Sequence, residues 1–199
     1  NTSAVTIDLD VTAYAAGIRT VDISAGTAAT GNTIDISEFT SVGSATAATT
    51  LTGSATGVTT ITGGAGNDTI TGGSAADIFV ASAGNDIVAA GGGTIVDTFQ
   101  FTGALLAANS GTTATFDGGA GTDIVDITTD AATIVDADFR GFTAIETLTT
   151  GDGANSITLG TNAVASGLIT VTGGSDVDTI TTAAGAQTVS GGLGADIIA

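Results

Sequence analysis

The sequence predicts an all-β protein, a right-handed parallel β-helix or β-roll solenoid. Two observations carry that expectation. From Gly63 the chain runs through three nine-residue units in succession, GGAGNDTIT, GGSAADIFV and ASAGNDIVA; the register returns at Gly118 (GGAGTDIVD) and again from Gly173 (GGSDVDTIT, TAAGAQTVS, GGLGADIIA). Self-similarity at a fixed short period marks a chain that stacks on itself. Outside these units, short runs still alternate apolar with polar residues and are punctuated by glycine turns roughly every 8–12 residues, as short strands require.

Composition agrees with stacking coils. The 199 residues allow one or two domains, and 42% of them are hydrophobic but only 4% aromatic. The expected core is therefore thin and built from Val, Ile, Leu and Ala. With 31 Gly and no Pro, the chain favours turns and uninterrupted strands over helices. Positive mean hydropathy (+0.48) and a maintained apolar period argue against an acidic disordered chain.

The elements follow in order. Val5–Val11 alternates strictly and is expected as one half-buried strand; Thr33–Ile36 and Ser156–Leu159 alternate likewise. Turns are expected at Ala25-Gly26, Gly31-Asn32, Gly43-Ser44, Gly151–Gly153 and Gly160-Thr161. Within each nonapeptide, glycines one, two and four supply positive-φ turns, and residues seven to nine form a strand with the eighth pointing inward. Gly103–Asn109 (GALLAAN) is expected as a short helix inserted beside the solenoid, and Asp136–Phe142 as a turn or single helical turn. The chain divides into two similar halves, 1–115 with repeats over 63–99, and 116–199 with repeats over 118–126 and 173–199. Gly57–Thr71 matches Gly167–Thr181, and Ala16–Ile23 resembles Thr143–Thr150. Together they are expected to form one continuous solenoid, a fragment of a longer chain.

The sixth position carries the chemistry: Asp68, Asp77, Asp86, Asp123, Asp178, Gln187 and Asp196. Two units make a coil of about 18 residues, and strands of successive coils stack at roughly 4.8 Å. Asp68 then faces Asp86, and Asp178 faces Asp196. Each pair is expected to grip one ion, with turn carbonyls completing the shell; the candidate backbone positions are Gly63, Ala65, Gly66, Gly84, Gly118, Ala120, Gly173, Ser175, Gly192 and Gly194. Six to eight oxygens is calcium chemistry; magnesium wants a tighter octahedron, and zinc or copper want the His and Cys that this chain lacks. Weaker sites are expected at Asp77, Asp97 and Asp123. Asp97 pairs with Asp77 only if Gly91–Gly93 absorbs two extra residues, and Asp123 has no partner at the 18-residue spacing. The remaining acids, such as Asp8, Asp10, Asp22, Asp35, Asp126 and Asp130, are expected on solvated strand faces.

These units resemble the RTX calcium-binding repeats, consensus GGxGxDxUx, with Gly63–Thr71, Gly118–Asp126 and Gly191–Ala199 matching every position. Departures fall at Ala75 and Asp176 (fourth glycine), at Ala81 and Ser82 (first two), and at Gln187 (the acid). The resemblance implies calcium-binding turns, export of an unfolded chain by a one-step (type I) secretion system, and folding outside the cell where calcium is abundant. The Ala/Thr/Gly/Asp composition and the phrases FTAIETLTT and GIRTVDIS also resemble calcium-dependent surface-layer (S-layer) proteins of Gram-negative bacteria.

Function classes narrow accordingly. Twenty acids against two bases, Arg19 and Arg140, give a net charge of −18, which excludes nucleic acid and anionic membrane as natural partners. No stretch is apolar enough for membrane insertion. Without His, Cys or Lys there is no nucleophile–base pair and no Schiff base, so no enzyme is expected. An ice-binding threonine ladder fails, because Thr69-Ile70-Thr71 is followed one coil later by Ile87-Val88-Ala89. The resemblance points to an extracellular structural protein of the bacterial cell surface. Its partners would be copies of itself in a lattice or filament, and a surface polysaccharide held by a part outside this chain. The alternatives are an RTX adhesin or filament protein, or the calcium module of a secreted enzyme or toxin.

Overall fold

A computed structural model describes residues 3–26, 31–39, 48–109, 113–183 and 187–199. Among these residues every paired strand is parallel to its neighbours. One face of the solenoid is a nine-stranded sheet that runs from Thr6–Asp8 through Asn32–Asp35, Thr59–Thr62, Ile78–Val80, Thr98–Phe101, Ile124–Ile127, Thr147–Thr150 and Thr170–Thr172 to Thr188–Ser190. The opposite face is shared by two sheets. Six strands (Thr20–Asp22, Thr50–Thr52, Thr69–Thr71, Ile87–Ala89, Thr115–Asp117, Phe142–Thr143) serve the first coils, and four (Thr133–Val135, Ser156–Thr158, Thr179–Thr181, Ile197–Ile198) serve the last. The parallel β-roll architecture is as the repeats predict. The nine-stranded sheet crosses residues 115/116 without a break, since Thr98–Phe101 pairs directly with Ile124–Ile127.

Register places one inward residue per strand in line. On the nine-stranded face the line is Ile7, Ile34, Ile61, Phe79, Phe99, Val125, Leu148, Val171 and Val189. The eighth repeat positions Ile70, Phe79, Val88, Val125 and Ile180 are all buried, whereas Ile198 on the last strand is exposed. The core differs from the all-aliphatic expectation at its centre. Phe79 stacks on Phe99 and Phe116 on Phe142, at centroid distances of 5.1 and 4.8 Å, with Phe101 and Phe139 packed edge-on or tilted between them. A chain with few aromatics has gathered nearly all its phenylalanines into one cluster in its middle coils. Each such buried ring is worth roughly 1.5–3 kcal/mol in area alone.

Helices are inserted between the strands. The helix α1 (Val11–Ala15) lies in the first coil, α2 (Gly103–Asn109) follows the Phe101 strand, a 3-10 turn spans Asp136–Phe139, and α3 (Thr161–Ser166) follows the Ser156 strand. Both α2 and α3 pack on the 3-10 turn, where the second face passes from the six-stranded to the four-stranded sheet. The expected helix at Gly103–Asn109 and the helical turn at Asp136 are therefore present. Two helices are not anticipated by the pattern. The strand expected over Val5–Val11 ends at Asp8, because the Asp10 carboxylate caps α1 by accepting from the Thr12 and Ala13 amides (2.9 and 3.1 Å). At Gly160-Thr161 the expected turn opens into α3, whose first amides are held by Asp136 one coil away. The turn expected at Gly43-Ser44, and residues 184–186 of the Thr182 unit, lie outside the described residues.

Candidate metal centre

Every strand places one residue at the rim of the solenoid, two positions before its inward apolar residue. Asp68 precedes Ile70, Asp77 precedes Phe79, Asp97 precedes Phe99 and Asp123 precedes Val125. Strand register stacks these rim residues into columns, and each acid among them, like Asn32 and Asn155, uses one side-chain oxygen in the same way. It accepts the backbone N–H of the rim residue one coil back. In the nine-stranded sheet the bonds run from Thr59 to Asp77 (2.7 Å), Asp77 to Asp97 (2.7 Å), Asp97 to Asp123 (2.8 Å) and Asp123 to Glu146 (2.8 Å). In the six-stranded sheet Thr49 donates to Asp68 (2.8 Å) and Asp68 to Asp86 (2.9 Å). In the four-stranded sheet Asn155 donates to Asp178 (2.7 Å) and Asp178 to Asp196 (3.0 Å).

The second carboxylate oxygen faces the turn of its own repeat. Asp68, Asp77 and Asp178 accept the N–H of the second repeat glycine, Gly64, Gly73 and Gly174, at 2.9, 2.6 and 3.0 Å. The turns lie directly on one another. A Cβ on Gly84 (φ +139°) would collide with the Gly66 carbonyl, and one on Gly192 (φ +93°) with the Gly174 carbonyl. Glycine is required there both for the backbone angle and for the approach of the coil beneath. The result is a set of carbonyl oxygens sandwiched between stacked turns beside the carboxylates.

Burial makes these columns electrostatically costly. Asp68, Asp77, Asp86, Asp97, Asp123 and Asp178 are all buried. Burial raises the Asp86 carboxyl to about 6, with the neighbouring Asp68 charge adding to it. Burial also raises Asp97 to about 6, helped by Asp123 and Asp77 on either side. Asp77 and Asp123 are raised too, first by burial. Asp136 shows the opposite case: burial pushes it up, but bonds from Ala163, Asn162 and Gly160 outweigh this and hold it below the ordinary carboxylate range. Among the described residues Asp77 and Asp86 accept two such bonds each, and Asp97 and Asp123 one. Arg19 is committed to the Tyr14 and Ile18 carbonyls and lies 3.9 Å from the Tyr14 ring centroid.

A hard cation fits this arrangement. The donors are carboxylate and carbonyl oxygens, the stacked charges lack a counter-ion, and the buried Asp123 Oδ2 has no hydrogen-bond partner. Among the described residues no three acids converge on one point. An ion between turns would take its carboxylates from two coils and the rest of its shell from backbone.

The structure brings the expected pairs together and corrects one spacing. Asp68 meets Asp86 and Asp178 meets Asp196, each 18 residues apart. Asp77 does meet Asp97, at 20 residues, so Gly91–Gly93 absorbs the difference. Contrary to the spacing argument, Asp123 has neighbours on both sides, Asp97 at 26 residues and Glu146 at 23. The coil is lengthened by α2, yet strand pairing restores the column. Gly63, Gly66, Gly84, Gly118, Gly173, Gly192 and Gly194 all lie in stacked turns, with Ala65 half-buried and Ala120 and Ser175 exposed on the turn surface. Of the other acids, Asp8, Asp22 and Asp130 are exposed on the surface, as expected. Repeat matching misses Glu146, and also the neutral rim residues Asn32, Thr49, Thr59 and Asn155. The position two before each buried aliphatic finds all of them.

The sequence profile of the RTX calcium-binding nonapeptide repeat matches four copies, over residues 55–94 and 170–199. Both segments hold stacked glycine turns, as does the Gly118 unit outside them, and such repeats bind calcium. No curated protein and no solved structure matches the chain.

Proposed function

We propose that this chain, which carries RTX calcium-binding repeats in two runs, is a calcium-folded structural segment of a secreted protein that assembles into a bacterial surface lattice. The observation that carries the reading is the set of buried carboxylate columns. Six buried aspartates stack across successive coils at a net chain charge of −18. Without cations the columns repel; with calcium between the turns, the free energy of binding becomes free energy of folding. At calcium concentrations 100 times the dissociation constant, each independent site adds about 2.7 kcal/mol. A chain of this kind is poorly stable where calcium is scarce and reaches its full stability only after export.

Lattice formation rests on the composition and on the shape. The rod presents Thr- and Asp-bearing strand faces, and calcium that bridges acids within one rod can also bridge acids between rods. The reading assigns no catalytic step to the chain. Calcium added back to chelated protein should restore β-sheet circular dichroism and then give ordered sheets or filaments by electron microscopy, reversibly with chelator. Refolding to a stable monomer that binds a surface or ligand would favour the adhesin alternative. Unchanged circular dichroism and melting temperature on chelation would falsify the calcium reading itself.

A further inference from the structure

The carboxylate column of the nine-stranded sheet continues beyond the matched repeat segments. Asp97, Asp123 and Glu146 occupy successive coils, and all three lie outside the matched segments 55–94 and 170–199. Glu146 belongs to no nine-residue unit. The turn that delivers it is short: Thr143 pairs with Asp117, Ala144 takes a left-handed conformation (φ 52°), Ile145 enters the core, and Glu146 follows. Through Oε2 it accepts the Asp123 N–H at 2.8 Å, as each aspartate does for the one before it.

Asp123 is the anomaly in the column. It is fully buried, and its Oδ2 has no hydrogen-bond partner. In the Asp68, Asp77 and Asp178 units that oxygen is met by the second glycine of the turn. Here the corresponding N–H, on Gly119, goes to Asp117 Oδ1 at 3.2 Å instead. The orphaned oxygen lies against Gly118, and the carbonyl of Ala144 from the next coil presses on the same glycine. A Cβ on Gly118 would meet both the anionic oxygen and the carbonyl oxygen, so the two, from consecutive coils, border the same space, with the charges of Glu146 and Asp117 alongside. The groups gathered around Oδ2 are acceptors, which is a cation's environment.

We infer that the isolated Gly118 unit holds its calcium ion with a carboxylate from outside any nonapeptide: Glu146 of the next coil joins Asp123 and the Ala144 carbonyl among the ligands. The inference rests on the calcium reading of the chain. Glutamate suits the position because the shortened turn offers fewer carbonyls than a GGxG loop, and one extra methylene lets the carboxylate reach back to the coil beneath. Beyond it the column changes character, to Ile169 and Gln187, so this ion closes the series.

The test counts calcium. The whole chain is stripped with chelator and dialysed against graded calcium, and bound metal per chain is measured by mass spectrometry for wild type, E146Q and E146D. E146Q retains an oxygen for the Asp123 N–H, so it is expected to fold, to bind one ion fewer, and to melt in chelator no lower than wild type. E146D restores the charge on a shorter arm and is expected to recover the ion with about tenfold weaker affinity. The inference is overturned if E146Q binds the wild-type number with wild-type affinity. It is equally overturned if E146Q loses the ion only along with a lower melting temperature in chelator, or if E146D stays at the E146Q count. Wild type binding no calcium at all would overturn the calcium reading of the whole chain, which is a distinguishable result.

Discussion

The first coils and the middle coils build the same rim with different chemistry. In the first coils the rim carries no carboxylate: Asn32 accepts the Val5 N–H at 3.1 Å through its side-chain oxygen, Arg19 turns its guanidinium to the Tyr14 and Ile18 carbonyls, and Thr49 and Thr59 hold the next positions in their columns. From Asp68 and Asp77 onward the same backbone bond is made to carboxylates. Asn155 repeats the neutral solution beneath Asp178, accepting the Ala132 N–H at 2.9 Å. The hydrogen bond that ties coil to coil therefore needs an oxygen, not a charge. Charge in the middle coils is an addition to the fold, and calcium is what makes it tolerable. The coils differ in length as well: rim partners are 18 residues apart inside the repeat runs, but Asn32 answers Val5 at 27.

Chelation should separate the two regions most strongly. Tyr14 is the sole tyrosine in a chain without tryptophan, and it packs edge-on against Phe39 in the first coils, 5.5 Å between centroids. Its near-ultraviolet signal is expected to persist at calcium concentrations where far-ultraviolet β-signal has fallen by half. Coincident loss of both signals would show that the coils unfold as one unit and that the rim difference has no local consequence.

Glycine substitution comes next. Gly84→Ala combines a positive φ with a collision against the Gly66 carbonyl and is expected to cost about 3 kcal/mol. Gly17→Ala, at φ +89° but with nothing within 4 Å, should cost only about 1 kcal/mol. Denaturant melts in saturating calcium compare them, and equal costs would mean that turn stacking is not tight.

Acid titration tests the charge itself. Asp86 and Asp97 are raised from 3.8 to about 6, so the fold favours their protonated forms. Their contribution to metal-free stability is fully present below about 3.8 and is lost as pH rises through about 6. Calcium-free protein should therefore melt higher at pH 4.5 than at pH 7, by roughly 1–2 kcal/mol after allowance for solvent screening. Calcium-loaded protein should show the reverse below pH 6, because protons compete with the ion. A metal-free melting temperature that falls steadily on acidification would contradict the burial assigned to these groups.

The smallest expected change is the most specific. Asp97→Asn copies the solution of Asn32 and Asn155, keeping the acceptor for the Asp77 N–H while removing the charge. Stability in chelator should rise by about 1 kcal/mol, and the stabilisation gained on adding calcium should shrink. Loss of stability in chelator would mean that the carboxylate does more for the fold than its oxygen does.

Much of the site is legible before any coordinates. Asp68 with Asp86 and Asp178 with Asp196 follow from counting, since both members of each pair sit in undisturbed runs. Asp123 fails the count because α2 lengthens its coil, and Glu146 fails it because its turn is too short to match a nonapeptide. Asp10 hides a helix start inside an alternating pattern, since a capping aspartate and a strand-face aspartate look alike in sequence.

By itself the sequence determined the unit: a glycine turn, a rim oxygen, and an apolar residue two positions on, repeated in a chain charged enough to require cations. Those features are local and survive wherever the coil goes. Only the tertiary structure decided which rim residues share a column. Column membership follows strand register, and insertions such as Gly91–Gly93 and α2 change the residue count between coils without changing that register. The tertiary structure also placed the phenylalanines together in the middle coils and left the Asp123 oxygen without a partner, because both depend on how coils of unequal length come to rest on one another.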